Sequence, residues 1–154
     1  MKTAKIRMAE ISSKNRAYRE ATAEGTIYLK KTTIDRIKNY SLDKGDPIHT
    51  AEIAGILAAK QTPQLIPLCH PIPITNVQID ISMEENLIKA NCTVKSLSRT
   101  GVEMEALTGV SIALLTIWDM VKPLEKDLTG QYPTTKISNI RVVKKIKKNV
   151  EKNE

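Results

Sequence analysis

Two runs of strict alternation, three residues apart, limit what this chain can become more than any other feature. In "ITNVQIDISM" (74–83), Val77, Ile79, Ile81 and Met83 fall on one side and Asn76, Gln78, Asp80 and Ser82 on the other. "EEN" makes the turn, and "LIKANCTVKSL" (87–97) returns with Ile88, Ala90, Cys92 and Val94 pointing inward. A period of two over this length predicts a hairpin with one apolar face.

The flanking segments predict what covers that face. "GTIYLKK" (25–31) alternates as a strand, with Ile27 and Leu29 together. Thr32 or Thr33 can cap a short helix through "IDRIKNY", and after the turn "LDKGD" a second helix starts with Pro47 in its first turn. Thr100 opens a long helix from about 102 to 122, stopped near Pro123, with Met104, Leu107, Ser111, Leu114, Trp118 and Val121 at helical spacing. "KISNIRVVKKI" (136–146) is a last strand. This order predicts an α+β fold, the ferredoxin-like βαββαβ arrangement: a four-stranded antiparallel sheet with helices packed on one face. A polar arm (1–23) precedes a single domain (24–147), and a charged tail (148–154) follows. With no Phe and one Trp, the core must be Ile, Leu, Val, Ala and Met.

No apolar run opens the chain as a secretory signal would. The longest apolar stretch, "ALTGVSIALLTIW", is shorter than the ~20 residues a bilayer requires. Two cysteines without an export signal predict reduced thiols and a cytoplasmic protein. The net charge of +7 suits nucleic acid, anionic lipid or phosphorylated small molecules, and alone does not choose among them.

Three clusters could carry chemistry. In "LIPLCHPIPIT" (65–75), Cys69 and His70 are neighbours between prolines. Adjacent residues in extended chain point to opposite sides, so the two do not readily grip one ion or pair as nucleophile and base. Beyond them only His49 and Cys92 are soft ligands, and the usual zinc spacing is absent. A stiff loop that projects His70 and a plain proline-rich connector are both open on these residues alone. The second cluster occupies the ends of the long helix. Glu103 and Glu105 near its start and Lys122 near its end suit the macrodipole, but Asp119, in the last turn, opposes it. Fourteen residues between Glu105 and Asp119 amount to ~21 Å of helix, too far for one small substrate to touch both. Either they serve different pockets, or two antiparallel copies of the helix bring opposite ends together, with Ala106, Gly109 and Ala113 small enough for close approach. The third cluster is basic: Lys14, Arg16, Arg19, Lys44, Arg99, Lys122, and Lys144, Lys145, Lys147 and Lys148. No glycine-rich phosphate loop accompanies it.

Two classes follow from these residues. One is an RNA-recognition module, disfavoured because the strands offer only Tyr28 for base stacking. The other is an enzyme for a phosphorylated small molecule, with Asp119 and lysines as acid–base groups. Four motifs in order, "MAEISSK", "DKGDPIHTAEIAGILAAKQT", "LIPLCHPIPIT" and "TGVEMEALTGVSIALLTIWDMVK", closely resemble the molybdenum-cofactor biosynthesis C family, the cyclic pyranopterin monophosphate synthases. The resemblance runs from about Met8 to Lys145. It implies conversion of 3′,8-cyclo-7,8-dihydroguanosine 5′-triphosphate, made by a radical-SAM GTP cyclase, to cyclic pyranopterin monophosphate with release of pyrophosphate. It implies Asp119 as catalytic residue with Lys122 and Lys44 beside it. It implies substrate contacts from Leu68, Cys69, His70, Glu103, Met104, Glu105, Arg19, Lys14 and Lys145. No metal site and no cofactor is implied, although Mg²⁺ can accompany the triphosphate. The assembly implied is a hexamer, a trimer of dimers with sites at dimer interfaces. Two departures stand out: Glu10 replaces the family's usual Asp, and the family's K-S-G-G-K loop is missing, the chain reading "VVKKIKKNVEKNE" instead. Lys145 falls at the position of the family's lysine, and Lys144 or Lys147 could take its place.

Overall fold

The computed structural model describes residues 4–150. Its elements are β1 (Ala17–Tyr28), α1 (Lys31–Lys38), α2 (Pro47–Leu65), β2 (Ile74–Met83), β3 (Leu87–Ser98), α3 (Glu103–Glu125) and β4 (Lys136–Asn149). The four strands form one antiparallel sheet in the order β2-β3-β1-β4. This is the α+β ferredoxin-like arrangement that the element order predicts.

The alternation of the β2–β3 hairpin sets the inner face: Ile88, Ala90, Cys92 and Val94 are fully buried, and Ile79 nearly so. β1 pairs with β3 so that Ala21, Ala23 and Ile27 lie opposite Val94, Cys92 and Ile88 on that same face. Val110, Ala113, Leu114, Ile117 and Val121 of α3 complete the core. Truncating one of the large aliphatics, such as Ile117→Ala, would cost about 2–5 kcal/mol through lost burial and the cavity left behind.

Several boundaries differ from the sequence expectation, each for a physical reason. β1 starts at Ala17, inside the expected arm, because its inward positions there are alanines, which carry little periodic signal between Arg19, Glu20 and Glu24. β4 runs on to Asn149, into the expected tail; residues 1–3 and 151–154 lie outside the described residues. The helix expected to stop near Pro123 continues to Glu125 with Pro123 inside it. Proline so close to the end forfeits one bond without breaking the helix. At 23 residues, α3 is long and apolar enough to cross a membrane by length and composition, unlike the shorter stretch read from sequence. Nine of its residues are nonetheless buried within the domain.

None of Thr100, Thr32 and Thr33 is a helix cap, the last two lying inside α1: the N-cap residues are Val102 and Lys30, without side-chain bonds of their own. For α1 the missing cap comes from far along the chain. The fully buried carboxylate of Glu125 accepts from the Lys30 amide at 3.0 Å, from Thr33 Oγ1 at 2.5 Å and from Thr135 Oγ1 at 2.6 Å. It thus ties α1, the end of α3 and the start of β4 together. α2 starts, as expected, with Pro47 in its first turn, and it is capped locally by Asp46, which accepts from the Ile48 and His49 amides.

The small residues of α3 have a partner within the chain. A Cβ at Gly109 would sit 2.6 Å from Cys92 Sγ and 3.2 Å from the Gly55 carbonyl, and one at Gly55 would sit 3.0 Å from the Gly109 carbonyl. The close approach expected of Gly109 is therefore made to α2 and β3 rather than reserved for another copy. The expected apolar stripe is also rotated: Met104 is exposed while Glu105 and Ala106 are buried, because α3 packs against both the sheet and α2.

Candidate functional site

The predicted site residues gather at the two ends of α3. At its C-terminal end, Asp119 sits between two ammonium groups. Lys122 Nζ donates to Asp119 Oδ1 at 2.9 Å and Lys44 Nζ to Oδ2 at 3.2 Å. The hydrogen bond from Lys122, then that from Lys44, holds the Asp119 carboxyl below its usual range, and Asp119 in turn raises Lys122. The charge that opposes the dipole is thus matched by two cations, one local and one from the 42–46 turn, where Gly45 supplies a left-handed residue (φ 96°).

Lys44 makes a second bond there that depends on Pro123. Residue 123 has no N–H, so the Asp119 carbonyl lacks its helical i+4 donor. Lys44 Nζ donates to that carbonyl at 3.2 Å. The lysine is therefore seated on both the main chain and the side chain of Asp119. Trp118 lies edge-on to Tyr132, centroids 5.3 Å apart, and Leu115, Trp118, Asp119 and Lys122 line an open cavity of about 340 Å³.

At the other end of α3, Glu103 receives Lys145 Nζ at 2.6 Å. Burial works to raise the Glu103 carboxyl, but the Lys145 bond, with smaller help from its own amide and from Arg19, outweighs it and holds the group low. Glu105, two residues on, is only 1 % exposed, and neither oxygen has a hydrogen-bond partner among the described residues. Burial pushes its carboxyl up to about 7; its own amide opposes the rise, and the Glu103 charge adds a smaller increment to it. Cys69 is half-buried, its thiol raised first by burial and then by the nearby Glu105 charge, the reverse of what activates a nucleophile.

The loop carrying Cys69 follows the end of α2 through a turn, the Cys69 amide donating to the Ile66 carbonyl at 3.0 Å, and is fastened to β3 where Ser96 Oγ donates to the Pro73 carbonyl at 2.8 Å. His70, expected to project, is half-buried too; it contributes to lowering Glu10, whose main cause is the Ser12 amide. Leu68 and Met104 are exposed apolar side chains on this side. Arg19 donates to the Arg99 carbonyl at 3.5 Å, and Arg99 Nε to the Lys14 carbonyl at 2.9 Å. Asp119 and Glu105 thus lie at opposite ends of one rigid helix. Sequence reasoning found both ends but missed the roles of Glu125 and Arg99, whose partners are distant in sequence and leave no local signal, and that of Pro123, which opens the Asp119 carbonyl to a lysine 75 residues away.

The sheet face turned away from the helices carries Glu20, Thr22 and Glu24 between Tyr18 and Tyr28, with Arg141 Nε on Glu24 at 2.7 Å and Lys136 over the Tyr28 ring. Tyr18 joins Tyr28 on the strands, but its hydroxyl donates to Glu20 at 2.6 Å, and Glu20 and Glu24 lie between the two rings. Fold and side chains together define an open-sheet α+β domain with a carboxylate held between two ammoniums at one end of its long helix and a buried acid at the other.

Residues 8–148 match the profile of the MoaC family, and the chain belongs to that family. It is 58 % identical over 143 residues to a probable cyclic pyranopterin monophosphate synthase of Archaeoglobus fulgidus, covering 93 % of this chain and 92 % of the relative. Proteins of the same description from Sulfurisphaera tokodaii (58 % identical, 92 % and 93 % covered) and Sulfolobus acidocaldarius (59 % identical, 91 % and 98 % covered) are equally similar.

Proposed function

We propose that this chain is a cyclic pyranopterin monophosphate synthase, acting in molybdenum cofactor biosynthesis on 3′,8-cyclo-7,8-dihydroguanosine 5′-triphosphate. The observation that carries the reading is the simultaneous contact of Asp119 with Lys44 and Lys122 in a chain more than half identical to proteins so described. In the phosphoryl step a ribose-derived hydroxyl oxygen forms a bond to the α-phosphorus, and the bond from that phosphorus to the bridging oxygen breaks. Pyrophosphate leaves with the bonding pair, and the hydroxyl proton passes to a base. An ionised Asp119 is suited to accept that proton, while the ammoniums of Lys44 and Lys122 can protonate ring nitrogens and offset charge on the leaving group. This is lyase chemistry by acid and base. It requires no redox or covalent cofactor, and Mg²⁺ enters only as a companion of the triphosphate.

Leu68, Cys69, His70, Met104, Glu105, Glu103, Lys145, Arg19 and Lys14 form the substrate-binding end in this reading. Because that end and Asp119 are separated by ~21 Å of helix, one complete site combines the N-terminal end of α3 from one copy with the C-terminal end from another. Exposed apolar side chains on the two helices, Ile53 (61 %), Leu57 (50 %) and Leu115 (52 %), support such pairing. A trimer of these dimers, in the cytoplasm and supplied by a radical-SAM GTP cyclase, without nucleic acid or membrane, completes the proposal. Incubation of the purified protein with the cyclised nucleotide tests it: stoichiometric pyrophosphate is expected, and none would overturn it.

A further inference from the structure

Trp118 is the one tryptophan of a chain without phenylalanine, and the core does not enclose it. It packs against the buried cluster yet stays half-exposed. Leu115, Trp118, Asp119 and Lys122 are spaced i, i+3, i+4 and i+7, so they share one face of α3, and together they line the open cavity of about 340 Å³. An indole thus stands in the same cavity as a carboxylate that two ammoniums hold.

The chain after α3 fixes that indole in place. Asp127 Oδ1 accepts from the Thr129 amide at 2.8 Å, from Thr129 Oγ1 at 2.7 Å and from the Gln131 amide at 3.0 Å. The Asp127 amide donates to the Gln131 carbonyl at 2.9 Å, and Gly130, at φ 80°, supplies the left-handed residue that closes the loop. Leu128 stands fully exposed on this loop, whereas Tyr132 returns to Trp118 with ring centroids 5.3 Å apart at 67°. An edge-to-face pair restrains both rings without stacking one on the other. A fused heteroaromatic ring needs a flat apolar surface to stack on and polar groups at its rim for its N–H and carbonyl edges. Trp118 provides the first, and Asp119 and Lys122 the second.

We propose that Trp118, braced by Tyr132, is the stacking surface for the guanine-derived ring of the substrate and turns the edge of that ring towards Asp119 and Lys122. Tyr132 is a positioning residue that acts through Trp118. This rests on the reading of the chain as an enzyme for a cyclised guanosine triphosphate, but the test does not use turnover, because a single tryptophan reports on its own contacts. GTP and inorganic tripolyphosphate are titrated into the full chain, with Trp118 fluorescence and calorimetry as readouts. GTP is expected to quench the fluorescence saturably over the range in which calorimetry finds binding, and tripolyphosphate to leave it unchanged. Trp118→Leu keeps an apolar side chain against the core; it should weaken GTP binding on the order of tenfold and tripolyphosphate binding by less than about twofold. Tyr132→Ala should weaken GTP about threefold and diminish the quenching, and Tyr132→Phe should restore both. A parent that does not bind GTP, or binds it without quenching, would overturn the inference. So would a Trp118→Leu protein that loses both ligands equally or neither, and a Tyr132→Ala protein indistinguishable from the parent would overturn the bracing. If the expected pattern holds but the parent releases no pyrophosphate from the cyclised nucleotide, the enzymatic reading fails and the stacking surface stands. If pyrophosphate is released while GTP leaves Trp118 unquenched, the enzymatic reading stands and the stacking surface fails.

Discussion

A carboxyl group that ends 1 % exposed with neither oxygen bonded, as Glu105 does, makes folding depend on pH. Its pKa rises from 4.5 to about 7, so the folded chain binds the proton more tightly than the unfolded one. Stability is therefore highest below the unfolded value and falls as pH rises from about 4.5 towards 7, by at most roughly 3 kcal/mol. Glu105→Gln should remove this slope: urea unfolding at pH 5.5 and pH 8 should differ less than in the parent, with the variant the more stable of the two at pH 8. An unchanged slope would assign the pH dependence to another group. At the other end of α3, Asp119→Asn keeps shape and removes charge and base. Its expected effect is a loss of ~10²–10⁴ in pyrophosphate release with fold and nucleotide binding intact. A loss below tenfold would exclude Asp119 as the principal base.

At the scale of elements, the informative contact is the lysine seated on a carbonyl that proline has left open. Pro123→Ala restores an N–H that competes for the Asp119 carbonyl and should loosen Lys44. Reductive methylation followed by mass spectrometry should find Lys44 more reactive by severalfold, with turnover reduced about three- to tenfold. Unchanged reactivity would show that the Asp119 side chain alone holds the lysine. Glu125→Ala leaves the Lys30 amide and two threonine hydroxyls without their acceptor, and should cost about 2–4 kcal/mol, visible as a lower thermal midpoint. These two contacts also mark the limit of what was legible in the sequence. The hairpin, the place of Pro47 in the first turn of α2 and the compensation of Asp119 by Lys122 follow from neighbours in the chain, where period, fixed φ and dipole act. The beginning of β1 was hidden by alanines. The burial of Glu105 was hidden because α3 packs against two surfaces, which no single apolar stripe describes. The cap of α1 lies more than 90 residues from it in sequence, so only the folded chain reveals it.

At the scale of the whole molecule, the separation of the two chemical ends makes assembly part of the catalytic question. Sedimentation should find a hexamer, or at the least a dimer, and an active monomer would defeat composite sites. Mixing separately inactive Asp119→Asn and His70→Ala proteins under conditions of subunit exchange gives a sharper result. If each site draws its two halves from different copies, mixed pairs regenerate one intact site and about a quarter of parental turnover should return. No recovery would mean that both halves come from one chain.

The contact between Gly55 and Gly109 has a consequence for distance. With no side chain on either backbone and Cys92 Sγ filling the remaining space, a shift of α3 by one residue along its axis would drive the branched side chain of Thr108 or Val110 into a gap that does not admit even a methyl group. The helix is therefore notched against its neighbours and works as a gauge. The spacing between its Asp119 end and its Glu105 end is set by counting residues, and a single alanine inserted between them would turn one end by about 100° against the other.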